Sequence, residues 1–166
     1  MRVLGIDPGT ITMGYGVIDE NGNTVVVKAY GAIEAPPRSP IGERLCFIYE
    51  KLLKLVKLHH PDVTAVEQPF VAKNVKSALA IGRSQAIAIL AAASQGIPIY
   101  EYTPAQVKQR VSNYGASSKE QIQEMVRLQL GLTKIPEPDD AADALAVALC
   151  HLSENRFTAL LAREIR

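Results

Sequence analysis

With 166 residues the chain is long enough for one domain with a buried core and too short for two of ordinary size. Hydrophobic residues at 48% and charged residues at 21% exclude a disordered or collagen-like chain. Lys and Arg number 18 against 17 Asp and Glu, so the net charge of +1 advertises no global basic field for a nucleic acid.

No basic, apolar and small-residue leader pattern precedes Val3, so a cytoplasmic location is expected. Val3 to Ile6 is an apolar run closed by Asp7-Pro8-Gly9, which predicts a buried strand with Asp7 at its tip. Met13 to Ile18 and Thr24 to Ile33 are rich in Val, Ile and Tyr and flank Asn21-Gly22, a hairpin dipeptide, so three strands should form an antiparallel meander. Ser39-Pro40 offers an N-cap with Pro at N1, and Ile41, Leu45, Ile48, Leu52 and Leu55 recur at helical spacing up to His59-His60-Pro61. His59 and His60 then sit on the surface at a helix C-terminus, where the helix dipole tolerates cations.

Val63 to Glu67 is a second short apolar strand ending in a carboxylate. Asn74 to Gln95 predicts a helix that is apolar nearly all round and is stopped by Gly96 and Pro98. Such a helix needs cover on more than one side, from its own sheet and from a second subunit. The longest uncharged run, Ser84 to Tyr100, is broken by polar residues, Gly and Pro, so no membrane span is expected. Ile97 to Tyr102 reads as a strand, Thr103-Pro104 opens a helix carrying Lys108 and Arg110, and Ser117-Ser118-Lys119-Glu120 starts another that ends at Gly131. A last helix starts near Asp139 and runs to about Phe157, leaving the residues beyond as a C-terminal tail of one domain, 1–166. Cys46 and Cys150 lie far apart in helix-like apolar stretches and are expected as buried, reduced thiols. The order β-β-β-α-β-α-β-α-α-α argues an α/β fold: a mixed sheet, meander first and crossover strands after, with helices on both faces.

Two of these strands end in acids, Asp7 and Glu67, and the last helix opens with Asp139-Asp140-Ala141-Ala142-Asp143. Asp140 and Asp143, three apart, project from one helical face. Asp143 interrupts an otherwise apolar run, where an unpaired carboxylate is costly. Singly, each acid has a bland reading as a turn residue or an N-cap. Together they form an all-oxygen set that would repel itself without a dication, and oxygen donors without His or Cys suit Mg²⁺ or Mn²⁺ rather than zinc. A paired-metal site of that kind hydrolyses phosphodiesters.

The stretches Gly5-Ile6-Asp7-Pro8-Gly9, Gly14-Tyr15-Gly16, Glu67-Gln68-Pro69-Phe70, Ala72-Lys73-Asn74, Gln106-Val107-Lys108-Gln109 and Asp140-Ala141-Ala142-Asp143-Ala144-Leu145-Ala146, in this order and spacing, resemble the RuvC family of Holliday-junction endonucleases, within the ribonuclease-H-like superfamily. The resemblance covers essentially the whole chain. It implies a ribonuclease-H-like fold with a five-stranded sheet, three strands in the meander and two parallel. It also implies a homodimer that nicks two symmetry-related strands of a four-way DNA junction in recombination and repair. By the same resemblance Asp7, Glu67, Asp140 and Asp143 bind two Mg²⁺ ions, and water attacks in line to leave 5′-phosphate and 3′-hydroxyl ends. Phe70 corresponds to an aromatic that stacks on an unpaired base, Lys108 and Lys119 to backbone contacts near the cut, and a branch-migration complex of the RuvA and RuvB type to a partner. Asp139 and Asp143, at i and i+4, form a rival ligand pair; register with the family motif favours Asp140 and leaves Asp139 as a helix cap.

Between Phe70 and Lys119 the charges are Lys73, Lys76, Arg83, Lys108, Arg110 and Lys119 against Glu101 alone. That window is net positive and the remainder net negative, the pattern of a one-sided phosphate-binding surface. Lys76 and Arg110 read as ordinary helix surface, while Lys73 and Arg83, close to Glu67 and Phe70 in sequence, join the DNA-contact candidates. Three other functions compete: a RuvC-like nuclease acting on structured RNA, a sugar-kinase-like ATPase suggested by Asp7-Pro8-Gly9-Thr10 and Gly14, and a catalytically silent junction-binding module, against which the intact set of four acids argues. The second needs two lobes, and this length supplies one.

Overall fold

A computed structural model describes residues 1–22, 24–69 and 75–164. The Val- and Ile-rich runs form β1 (Arg2–Asp7), β2 (Thr12–Asn21), β3 (Thr24–Glu34), β4 (Val63–Glu67) and β5 (Ile99–Tyr102). Their order in the sheet is β3-β2-β1-β4-β5. β1 pairs antiparallel with β2 and β2 with β3, whereas β1–β4 and β4–β5 are parallel. This is the mixed five-stranded sheet expected from the sequence, and Gly22 supplies the positive φ of 61° at the hairpin between β2 and β3.

Among the described residues five helices cover it: α1 (Ile41–His59), α2 (Val75–Ala93), α3 (Pro104–Ser112), α4 (Lys119–Gln129) and α5 (Asp139–Glu164). Strand alternation divides the core between the two faces. Leu4, Ile6, Met13, Val17 and Val66 pack towards α1 and α2, against Ile48, Leu52 and Ala88. Val3, Ile18, Val63 and Ala65 pack on the other face against Val107, Val126, Leu145 and Leu149 of α3, α4 and α5. Asp7 shares the parity of Val3 and Gly5, and Glu67 that of Val63 and Ala65, so both strand-tip acids belong to the α5 face.

From Ala141 to Leu152, α5 is buried except at Asp143. It lies close to the sheet because β1 and β2 present glycines beneath it. A Cβ on Gly5 would run into the Ala144 carbonyl oxygen, one on Gly14 into that of Asp140, and one on Gly16 would meet Leu145 Cδ2 at 2.6 Å. The glycines of both strands thus form a trough that seats the helix, and any side chain there would lift its first turns off the acids.

Some expectations change at the helix ends. α1 takes Pro40 itself as N-cap, with ψ at 151° and no side-chain cap, instead of Ser39. α5 continues past Phe157 to Glu164, because Thr-Ala-Leu-Leu-Ala-Arg-Glu contains no breaker even though it leaves the core. Cys46 is exposed, since the buried stripe of α1 runs through Ile48, Leu52 and Val56; Cys150 is buried as expected. α3 and α4 start as the sequence predicts, with Thr103 and Ser118 accepting from the backbone N–H of Gln106 and Gln121 in capping boxes. Among the described residues α2 is long and apolar enough to cross a membrane by length and composition. Ala88 and Ala91 pack its inner side onto the sheet, while Val75, Leu79 and Leu90 are exposed on its outer side.

Candidate active site

β1 carries Asp7 to its C-terminal end, and the parallel register of β1 with β4 carries Glu67 to the same end of the sheet. Across the antiparallel pairing Asp7 faces Gly14, the residue against which Asp140 packs. The glycine trough therefore sets the first turn of α5 directly beside Asp7. Asp143 follows one turn later and lines a cavity of about 240 Å³ with Glu67, Lys108, Lys119 and Ile122. Four acids from three elements thus gather at one rim of the sheet, with two lysines from α3 and α4.

Burial pushes the Asp7 carboxyl up to about 8, aided by the charges of Glu67, Asp143 and Asp140 and opposed by Lys119. Burial also lifts Glu67 to about 7, with Asp143 adding to the rise and Lys108 and Lys119 holding it down. Asp143 is raised by burial, against hydrogen bonding and attraction from Lys119. The Lys119 ammonium lies 3.1 Å from an oxygen of Asp143 and 3.1 Å from one of Asp139. Asp139 differs from the other acids: Lys119 and the Gln123 amide, 3.1 Å away, hold it below the usual carboxylate range. Asp140 and not Asp139 is among the charges that lift Asp7. Asp139 opens the helix as its first residue and is engaged from α4, so it is not the cap the sequence suggested.

Among the described residues no three carboxylate, imidazole or thiol groups are drawn together tightly enough to hold an ion as they stand. The donor chemistry nevertheless fits a hard dication. The set is all oxygen, it is crowded enough that its members raise each other's affinity for protons, and the cation paired with it is a half-exposed lysine.

The family model for crossover junction endodeoxyribonuclease RuvC matches residues 3–151. The chain belongs to the RuvC family. It is similar to the crossover junction endodeoxyribonuclease RuvC of Dehalococcoides mccartyi, 52% identical over 163 residues that cover 98% of each chain. It is likewise similar to that of Chloroflexus aggregans, 51% identical over 151 residues, 91% of this chain and 92% of the other. Its fold matches the Thermus thermophilus RuvC in complex with Holliday junction substrate at a TM-score of 0.89, with 34% identity over 95% of this chain and 96% of that one. A RuvC-family chain at this identity is a crossover junction endodeoxyribonuclease, and the family is metal-dependent.

The other sequence candidates are distributed as follows. Lys108 and Lys119 lie in the cavity wall beside Glu67 and Asp143. Arg83 is exposed on α2. Phe70 and Lys73 lie outside the described residues. Arg110 pairs with Glu154 at 2.7 Å and stacks on Phe157, which fits its reading as ordinary surface. His151 is buried and shares a 2.7 Å hydrogen bond with the Tyr102 hydroxyl, far along α5 from the acids. Two residues at the site were not singled out from sequence. Ser84 of α2 is fully buried and donates at 2.7 Å to the Gly9 carbonyl in the turn after Asp7, and Gln123 holds Asp139. Nothing in an isolated serine or glutamine announces such a contact. Only the packing of α2 and α4 brings them there.

Proposed function

We propose that Asp7, Glu67, Asp140 and Asp143 are the catalytic acids, and that they hold Mg²⁺, with Mn²⁺ as a substitute and two ions per site, in an enzyme that resolves four-way DNA junctions. The observation that carries this reading is the gathering of these acids on the α5 face, beside Lys108 and Lys119, at the ends of β1 and β4. Bound there, divalent ions would activate water and stabilise the charge that develops on the scissile phosphate and its leaving oxygen. The chain's own residues do the rest. Lys108 and Lys119 neutralise phosphate oxygens at the cavity wall, and the glycine trough seats the first turns of α5 so that Asp140 and Asp143 are carried beside Asp7.

In the same reading Phe70, three residues beyond Glu67, stacks on an unpaired base, and Lys73 and Arg83 extend the phosphate contacts. The molecule is one nuclease domain over 1–166, works in the cytoplasm, and forms a homodimer across the exposed apolar side of α2, where Val75, Leu79 and Leu90 lie. A two-fold dimer with two sites suits the near two-fold symmetry of a four-way junction. A branch-migration complex of the RuvA and RuvB type is its protein partner. The test is to map the cut ends on a junction with a fixed crossover. Paired nicks at symmetry-related positions with 5′-phosphate and 3′-hydroxyl ends are expected, and cuts at unrelated positions or with 3′-phosphate ends would count against the reading.

A further inference from the structure

Asp139 is the acid that the nuclease site leaves over, and its surroundings are specific. Both of its oxygens are engaged from one face of α4: Oδ2 by Lys119 at 3.1 Å and Oδ1 by the Gln123 amide at 3.1 Å, one helical turn further on. Gln123 is 9% exposed, so its amide has little access to water and Asp139 serves it as a hydrogen-bond partner. Lys119 is the first residue of α4, where the Ser118 cap fixes its backbone, and its long side chain is 49% exposed. The Asp139 side chain is 67% exposed and that of Asp143 30% exposed, so the lysine is shared between an outer and an inner carboxylate.

We propose that Asp139 and Gln123 are positioning residues that hold Lys119 as a shared counter-ion beside Asp143, so that the lysine neither closes onto Asp143 nor leaves the site. The inference rests on the reading of Asp143 as an acid of the nuclease site. Without Asp139 the ammonium has one carboxylate partner in place of two and competes with a dication for Asp143. With it, Lys119 retains an anchor when Asp143 serves the ion. An ammonium has three donors, two directed at these carboxylates and a third to offer a phosphate oxygen.

The experiment follows the Mg²⁺-induced rise in melting temperature of the full chain without DNA, in the wild type, Asp139→Asn, Lys119→Gln and the double variant. Asp139→Asn should raise the half-saturating Mg²⁺ concentration severalfold. Lys119→Gln should lower it, and the double variant should match Lys119→Gln, because Asp139 acts through the lysine. A half-saturating concentration unmoved by Asp139→Asn, even with a lowered melting temperature, would reduce Asp139 to a structural contact and overturn the inference. A shift that persists undiminished in the Lys119→Gln background would overturn it in favour of direct attraction or ligation by Asp139. Asp143→Asn serves as the control: if Mg²⁺ stabilises the wild type and not this variant, the reading of the site stands whatever Asp139 does. No Mg²⁺ effect on the wild type would overturn that reading and this inference together.

Discussion

Asp7 and Glu67 are acids held far from their ordinary ionisation, about 8 and about 7, and the first cause in both is burial. Each acts where neutralising it should be informative. Asp7→Asn or Asp143→Asn replaces a carboxyl group by an amide of nearly equal volume, so junction binding measured by mobility shift should persist, while cleavage should fall by at least about 10²-fold, the scale for losing a group that stabilises transition-state charge. Wild-type cutting by either variant would remove these acids from the chemistry. The raised values also set a pH dependence. Between roughly pH 4 and 8 the folded, metal-free chain keeps protons that the unfolded chain has released, so these groups make stability fall as pH rises through that window. Under the proposed assignment, protons and dications compete for the same oxygens. The rise in melting temperature on adding Mg²⁺ should therefore be larger at pH 8.5 than at pH 6, and an equal or smaller rise at pH 8.5 would contradict this account. Asp143 was legible in the sequence because a carboxylate amid alanines violates the pattern around it. The role of Asp139 was not, because adjacent acids at a helix start look alike until α4 is packed against one of them.

α5 is the element on which the site depends, and its seat is made by absences. Gly5, Gly14 and Gly16 have no side chain where one would strike the helix, two of them against backbone oxygens that cannot move aside. Gly5→Ala and Gly14→Ala should each destabilise the fold by about 1–3 kcal/mol in urea unfolding, the usual cost of overpacking. Gly14→Ala should in addition depress cleavage beyond its effect on stability, because it displaces Asp140. Full activity in a stably folded Gly14→Ala protein would show that the trough does not place the acids. Strand and helix order were readable from periodicity, since Val- and Ile-rich runs and the caps at Thr103 and Ser118 carry local signals. The end of α5 was not, because its last turns rest on helix propensity with the apolar burial already finished. The exposure of Cys46 escaped for the related reason that an apolar residue beside a buried stripe is indistinguishable by type from one within it.

The net charge of +1 concealed an asymmetry at the scale of the molecule: cations concentrated between Phe70 and Lys119, and a remainder that includes the four gathered acids. With dications on those acids, their charge no longer opposes a DNA backbone, so junction affinity at fixed ionic strength should weaken on metal removal. The dimer proposed through α2 gives a separate test. Leu79→Glu with Leu90→Glu places charge on its exposed apolar side and should yield a monomer by sedimentation that nicks single strands without pairing the cuts. A variant that stays dimeric would move the interface elsewhere. The most direct measurement compares cleavage of a synthetic four-way DNA junction in Mg²⁺ and in EDTA, with linear duplex and structured RNA of matched length as controls. Paired, symmetric nicking of the junction alone, and only with the metal, is the predicted result; cutting that survives EDTA, or that treats duplex or RNA as readily as the junction, would contradict the account.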